Sequence, residues 1–272
     1  DVQRAGADAD EMLALARAAR NAAFLAQALN RRAFVEMRRG QARLAVDTAA
    51  EAISAARKAG RADLEAAGHF RLAEAQFRQR ANEAAAKSAT QAIRCFKRLR
   101  ETGGEGRAWW ALACARSAQG RVAEADRAAA TALALARRCG DRYGIGNATN
   151  LLTFSETDVA KRMQLLRQSL AAFEAAGYVE RQGVVTHNLA IAYSDLGLHR
   201  RARRLLLQVG GIYRRTRALG SLAVTQWVLC DLEAELGDLD AARASLEEAV
   251  ALAEAKQDAL SRAYRPLSEG RL

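Results

Sequence analysis

Proline is all but missing from this chain. Of 272 residues only Pro266 is one, six positions from the end. No earlier position is forced to break a helix by ring geometry. Valine, isoleucine, threonine and aromatic residues, the last at 6%, are too sparse for a β-rich fold. The four cysteines, Cys95, Cys114, Cys139 and Cys230, form no CxxC pair and stand among apolar neighbours. They read as small buried or half-buried hydrophobes in a reducing compartment. No apolar run approaches the ~18 residues that a membrane span needs, and no secretory-signal pattern opens the chain. A cytoplasmic protein is the expectation. Lysine is scarce as well: Lys58, Lys87, Lys97, Lys161 and Lys256 are the only five among 42 basic residues. An Arg- and Ala-rich bias of this kind follows from a GC-rich genome, so the formal charge of +11 does not by itself require a polyanion. Most charges fall at the spacing of solvated helix faces.

Alanine, leucine, arginine and glutamate dominate instead, and all are strong helix formers. Half of the residues are apolar, enough to bury a core. The expected class is all-α.

Internal periodicity is the strongest signal. Gly40, Gly120, Gly197 and Gly237 each precede an alanine five positions on: Ala45, Ala125, Ala202 and Ala242. Arg80 with Ala85 occupies the slot between the first two, and a weaker unit around Thr157 completes a ladder at 40, 80, 120, 157, 197 and 237. Seven positions before each landmark stand Ala33, Ala73, Ala113, Asn150, Ala190 and Cys230; twelve after it stand Ala52, Ala92, Ala132, Ser169, Val209 and Ala249. Beside the first column runs a leucine column, Leu72, Leu112, Leu189 and Leu229, broken by Arg32 and Thr149. Small residues in such columns let helices approach closely and stack. A second glycine set, Gly60, Gly103, Gly140, Gly177 and Gly220, suits the left-handed position that ends a helix.

Each unit therefore reads as helix A, a turn, helix B and a stop. The expected limits are 21–60, 61–103, 104–140, 141–177, 178–220 and 221–257, within a single domain over 1–272. Residues 8–20 read as the second helix of a preceding unit, and residues 258–272 as the start of a further helix. With no methionine at Asp1, the chain reads as a piece of something longer.

These columns resemble the tetratricopeptide repeat. The third unit shows it best, with Trp109, Leu112, Ala113, Gly120, Ala125 and Ala132; the fifth repeats it with Leu189, Ala190, Tyr193, Gly197 and Ala202. The resemblance covers about 21–257 and implies an α-solenoid, a right-handed superhelix of about six hairpins. Two departures stand out. The period is 40 rather than 34, and Arg57, Lys97, Arg137, Glu174, Arg214 and Glu254 replace the proline usual near the end of helix B. Without that stop, helix B is expected to run on by about six residues, or ~9 Å. The fourth unit is degenerate, with Asn150 and Arg162 in small-residue columns. Long-period arrays of this type look like the sensor or scaffold arms of bacterial signalling proteins, such as ATPase-type transcription activators and class III nucleotide cyclases.

Catalytic signatures are lacking. The glycine clusters Gly103-Gly104-Glu105-Gly106 and Gly144-Ile145-Gly146 lack the lysine and preceding strand of a phosphate-binding loop. HExxH and GxSxG are absent. His69, His187 and His199 are too dispersed for a metal site. No enzyme activity, metal or cofactor is expected.

In a tetratricopeptide superhelix the A helices line the concave face, so the resemblance assigns inward columns. Ten before each landmark stand Asn30, Phe70, Trp110, Asn147, His187 and Trp227; four further on stand Phe34, Glu74, Cys114, Leu151, Ile191 and Asp231. Aromatic rings and amides suit an extended peptide. Arg31, Arg71, Arg78 and Arg107 stand ready to clamp a carboxylate, Phe77 extends the apolar floor, and Asn188 adjoins His187. The same aromatics fit packing between repeats equally well, and His187 and Asn188 fit inter-helix hydrogen bonds, because amphipathic position does not separate core from groove. The arginine run Arg200, Arg201, Arg203, Arg204, Arg214, Arg215 and Arg217 lies on an outward helix B and reads as a solvated face. The expected function is a protein- or peptide-binding or ligand-sensing module of a larger regulatory protein, its partners proteins, peptides or adjacent domains. Membrane binding is not expected and nucleic acid is disfavoured. The alternative is a helical repeat that binds nucleic acid through its basic surface.

Overall fold

The computed structural model describes residues 2–256, and the further helix expected at 258–272 lies outside the described residues. Among the described residues there are thirteen α-helices and no strand. They are α1 (Val2–Ala18), α2 (Ala22–Arg38), α3 (Ala42–Lys58), α4 (Ala62–Arg78), α5 (Asn82–Arg98), α6 (Thr102–Ala118), α7 (Val122–Cys139), α8 (Arg142–Leu152), α9 (Val159–Ala175), α10 (Val179–Asp195), α11 (His199–Thr216), α12 (Leu219–Glu235) and α13 (Leu239–Lys256). The fold is an all-α helical repeat of tetratricopeptide type. Even-numbered helices from α2 to α12 are the A helices; α3, α5, α7, α9, α11 and α13 are the B helices. α1 precedes the first hairpin where a helix B is expected.

Period 40 arises from helix length and one recurring turn. Except for α8, every described helix has seventeen or eighteen residues. The extra length is thus shared between both helices of a hairpin, rather than carried by helix B as expected. At the α2–α3 junction the Gly40 N–H donates to Met37 O at 3.1 Å and the Gln41 N–H to Glu36 O at 2.9 Å. This is the Schellman closure, and it needs a left-handed residue one place past the cap. The same pair of bonds recurs at 60–61, 80–81, 100–101, 120–121, 140–141, 177–178, 197–198, 217–218 and 237–238.

The second glycine set is only partly what it seemed. Gly60, Gly140 and Gly177 occupy the left-handed position, but Gly103 lies inside α6 and Gly220 inside α12. Arg100 (φ 56°) and Arg217 (φ 54°) make those turns instead. Two other glycines of α6 serve close packing: a Cβ on Gly104 would collide with the Phe96 ring of α5, and one on Gly106 would come within 3.2 Å of Leu135 Cβ of α7.

The small-residue columns form the core. Ala33, Ala45, Ala52, Ala73, Ala85, Ala92, Ala113, Ala125, Ala132, Ala190, Ala202, Ala242 and Ala249 are all buried, whereas Asn150 and Arg162 are half-buried. Around the alanines gather larger groups, such as Phe70, Ile93 and Phe96 between α4, α5 and α6. In the later repeats Val209, Ile212, Tyr213 and Leu222 do the same. Cys95 and Cys230 are buried and Cys114 half-buried, but Cys139 is exposed, because it is the last residue of α7.

The fourth hairpin breaks the pattern. α8 has eleven residues and is followed by an irregular stretch, 153–158. Thr153 Oγ1 donates to Asn150 O at 2.6 Å, and Ser155 Oγ donates to Asp126 Oδ1 of α7 at 2.7 Å, with Leu152 O 3.3 Å away. A side chain bonding back to the helix, as that of Thr153 does, competes with its continuation. Asp158 then starts α9, its carboxylate accepting from the Ala160 and Lys161 N–H groups. A shorter helix and a longer connection together give the step of 37. The chain divides here into two compact units, Asp1–Ser155 and Glu156–Leu272.

Candidate binding face

Within the first unit, α2, α4, α6 and α8 touch one another in succession, while the B helices α3, α5 and α7 lack comparable mutual contact. Closer spacing on the A side makes that row the inner one of the unit. In the second unit α10 and α12 also touch.

The column ten before each landmark lies between A helices rather than on open surface. Asn30, Phe70, Asn147, His187 and Trp227 are buried and Trp110 is half-buried. Asn30 Nδ2 in α2 donates to Leu64 O of α4 at 3.1 Å. His187 Nδ1 in α10 lies 3.1 Å from Thr225 Oγ1 of α12. The Thr225 hydroxyl already donates to Ser221 O at 2.9 Å, so it accepts from an Nδ1-protonated imidazole. Burial pushes the His187 pKa from its ordinary 6.5 down to about 4. Both side chains thus tie one A helix to the next. Phe70 joins the Ile93–Phe96 cluster. Phe77 is half-buried against Ala85, Ala86 and Ala115. Trp109 packs both on the α4–α5–α6 cluster and on the α6–α7 cluster that follows it, with its Nε1 3.4 Å from Glu105 Oε1.

The open stripe of the A helices begins one residue on, a rotation of about 100°. In the first unit it carries Arg31, Phe34 and Arg38 of α2, Glu74 and Arg78 beside Arg71 of α4, and Arg107 of α6. Phe34 is 40% exposed. The Arg71 guanidinium stands 4.7 Å over the Phe34 ring and 5.2 Å from that of Phe70, and Nη1 donates to Glu74 Oε2 at 2.7 Å. That carboxylate holds the guanidinium across two rings on adjacent helices, an arrangement suited to stacking. Arg31, Arg78 and Arg107 make no ion pair among the described residues. The result is an aromatic platform among unneutralised cations. In the second unit the corresponding positions hold exposed Ile191 and Val224 and half-buried Asn188 and Asp231. Sequence reasoning missed Arg38 and Val224. Their signal was present: each stands on the column of Arg31, Phe34 or Arg78, or one turn from it.

Three of the six arginines of α11 are engaged. Arg203 contacts Glu233 at 3.3 Å and Asp238 at 3.2 Å, Arg214 forks onto Glu248, and Arg201 stacks 4.3 Å over Tyr193. Among the described residues no three His, Cys, Asp or Glu side chains gather as a metal site. No described helix is long and apolar enough to cross a membrane.

No family model and no curated protein matches the sequence. Solved structures match the fold, which belongs to the class of tetratricopeptide-like helical repeats. A Rap protein complexed with Competence and Sporulation Factor superposes with a TM-score of 0.69 at 14% identity, over 92% of this chain and 74% of that one. Apo RapI gives 0.67 at 11% identity, over 84% and 83%. Aspartyl phosphate phosphatase F from Bacillus subtilis gives 0.64 at 12% identity, over 82% and 60%.

Proposed function

We propose that this chain is a non-catalytic binding module, the cytoplasmic sensing or scaffold arm of a larger bacterial signalling protein. It takes an acidic peptide or protein segment on the A-helix stripe of its first unit. The observation that carries the reading is Arg71 held over Phe34 and Phe70, with exposed Arg31, Arg78 and Arg107 around it. Such a surface accepts an apolar side chain on Phe34 and carboxylates at the arginines. The solved relative bound to Competence and Sporulation Factor supports a ligand-binding use of this fold. Arg203 and Arg214 are paired with carboxylates, which reduces the cationic surface that α11 would offer the alternative, a nucleic acid.

Fluorescence anisotropy against acidic, neutral and basic peptide pools tests the reading. Acidic pools with aliphatic residues are expected to bind. Phe34→Ala and a combined Arg31→Glu, Arg78→Glu variant should each weaken binding about tenfold or more, roughly 1.4 kcal/mol. Unchanged affinity in both variants, with folding intact by circular dichroism, defeats it. Trp227→Ala tests stability instead, because that ring is buried.

A further inference from the structure

A cavity of about 160 Å³ opens where α1, α2 and the start of α3 meet. Gly6, Val35 and Glu36 are among its buried walls, and Asp10 and Arg39 stand exposed at its edge. Glu36 is 3% exposed. Its Oε1 accepts from Arg32 Nε at 2.8 Å, and Arg32 Nη1 reaches Asp10 Oδ1 at 3.0 Å, so Arg32 is committed to two carboxylates. Glu36 Oε2 is buried and receives no hydrogen bond. This is not the habit of its column. Glu233 stands at the same place in the last hairpin, and there Oε2 accepts from Ser245 Oγ at 2.7 Å. An unmatched buried carboxylate oxygen is expensive, and the cost falls away when a cationic donor meets it.

Arg39 supplies the complementary half. Its guanidinium lies against the α1 backbone at Gly6, in space that a Cβ there would occupy. Glycine within a helix is disfavoured relative to alanine, so this contact is made at the expense of α1. Arg39 makes no ion pair or hydrogen bond among the described residues. One wall thus holds an acceptor that lacks a donor, and the other a fork of donors that lacks an acceptor.

We propose that this cavity binds a free α-amino acid with a small side chain. Its ammonium group donates to Glu36 Oε2 and its carboxylate accepts from Arg39. A simple anion would face Glu36 and Asp10, and a simple cation would face Arg32 and Arg39; a zwitterion matches both. The volume equals the liquid share of about five waters, which leaves room for glycine or alanine with water beside it. The site is independent of the peptide stripe.

Calorimetric titration of the full chain with glycine, L-alanine, acetate and methylammonium tests the assignment. One equivalent of glycine or L-alanine is expected to bind, with at least tenfold preference over acetate and methylammonium. Glu36→Gln should abolish the binding. Gly6→Ala should abolish it too, and because alanine favours the helix, this variant remains folded while its methyl group displaces the Arg39 guanidinium. Absence of binding by both amino acids, equal binding of acetate or methylammonium, or binding that survives Gly6→Ala each overturns the proposal.

Discussion

At the residue scale, the left-handed junctions set the most direct wager. Glycine tolerates φ near +70° and other residues do so at a cost of roughly 1–2 kcal/mol. Gly120 sits at φ 73° with open space about its Cα, so Gly120→Ala should lower unfolding stability by about 1 kcal/mol through backbone strain alone. Arg80 holds φ 62° at the equivalent junction, and Arg80→Gly should act in the opposite sense. Urea unfolding of the two variants reads both signs. Periodicity placed Arg80 at a turn without a glycine to mark it. Gly103 and Gly220 misled because each stands in the first turn of the next helix, three positions past the arginine that takes the left-handed conformation. His187 gives a pH signature. Between about 6.5 and about 4 the unfolded chain is protonated there and the folded one is not, so stability falls as pH falls through that window. Above about 6.5 the imidazole is neutral in both states and adds no slope. His187→Gln should flatten the melting temperature against pH across this range relative to the parent.

Between helices, close approach outweighs helix propensity. A Cβ on Gly183 of α10 would meet Tyr213 Cε1 of α11 at 2.9 Å. Alanine is intrinsically the better helix former by roughly 1 kcal/mol. Overpacking costs typically 1–3 kcal/mol. Gly183→Ala should therefore destabilise despite the local gain, and a higher melting temperature would refute the packing account. The hydrogen bond from Ser245 to Glu233, which joins α13 to α12, makes a parallel case: Ser245→Ala leaves a buried carboxylate oxygen short of a donor and should cost about 1–3 kcal/mol. The A and B helices, their order and their buried columns were legible because alanine recurs at fixed intervals. The open stripe was less so. Ten before the landmark and nine before it differ by about 100° of rotation, and residue type alone did not say that Asn30 and His187 bridge helices while Arg31 faces water.

For the molecule as a whole, the informative place is where the pattern fails. Asn150, Thr157 and Arg162 depart from the column residues, and there the structure has its short helix, its irregular stretch and the division between compact units. Phe154 in that stretch is 68% exposed. Limited chymotrypsin digestion should cut first after Phe154, since exposed irregular backbone opens at least cost. Mass spectrometry of the earliest fragments checks this, and initial cleavage after Tyr178 would contradict it. The ligand chemistry of the stripe was only partly foreseeable, because arginine serves solvation, ion pairing and recognition alike and only coordinates separate Arg203, already paired, from Arg31.

The recurring junction also bears on how such a chain grows or shrinks. Ala81 (φ −80°, ψ 60°) and Arg121 (φ −85°, ψ 62°) enter their helices with nearly the same backbone angles. Excising 81–120 would splice Arg80 onto Arg121 without disturbing the local path, leaving α4 to pair with α7. Gene duplication or loss in whole forty-residue modules is therefore nearly seamless, while a deletion of any other length forces a new turn to be invented.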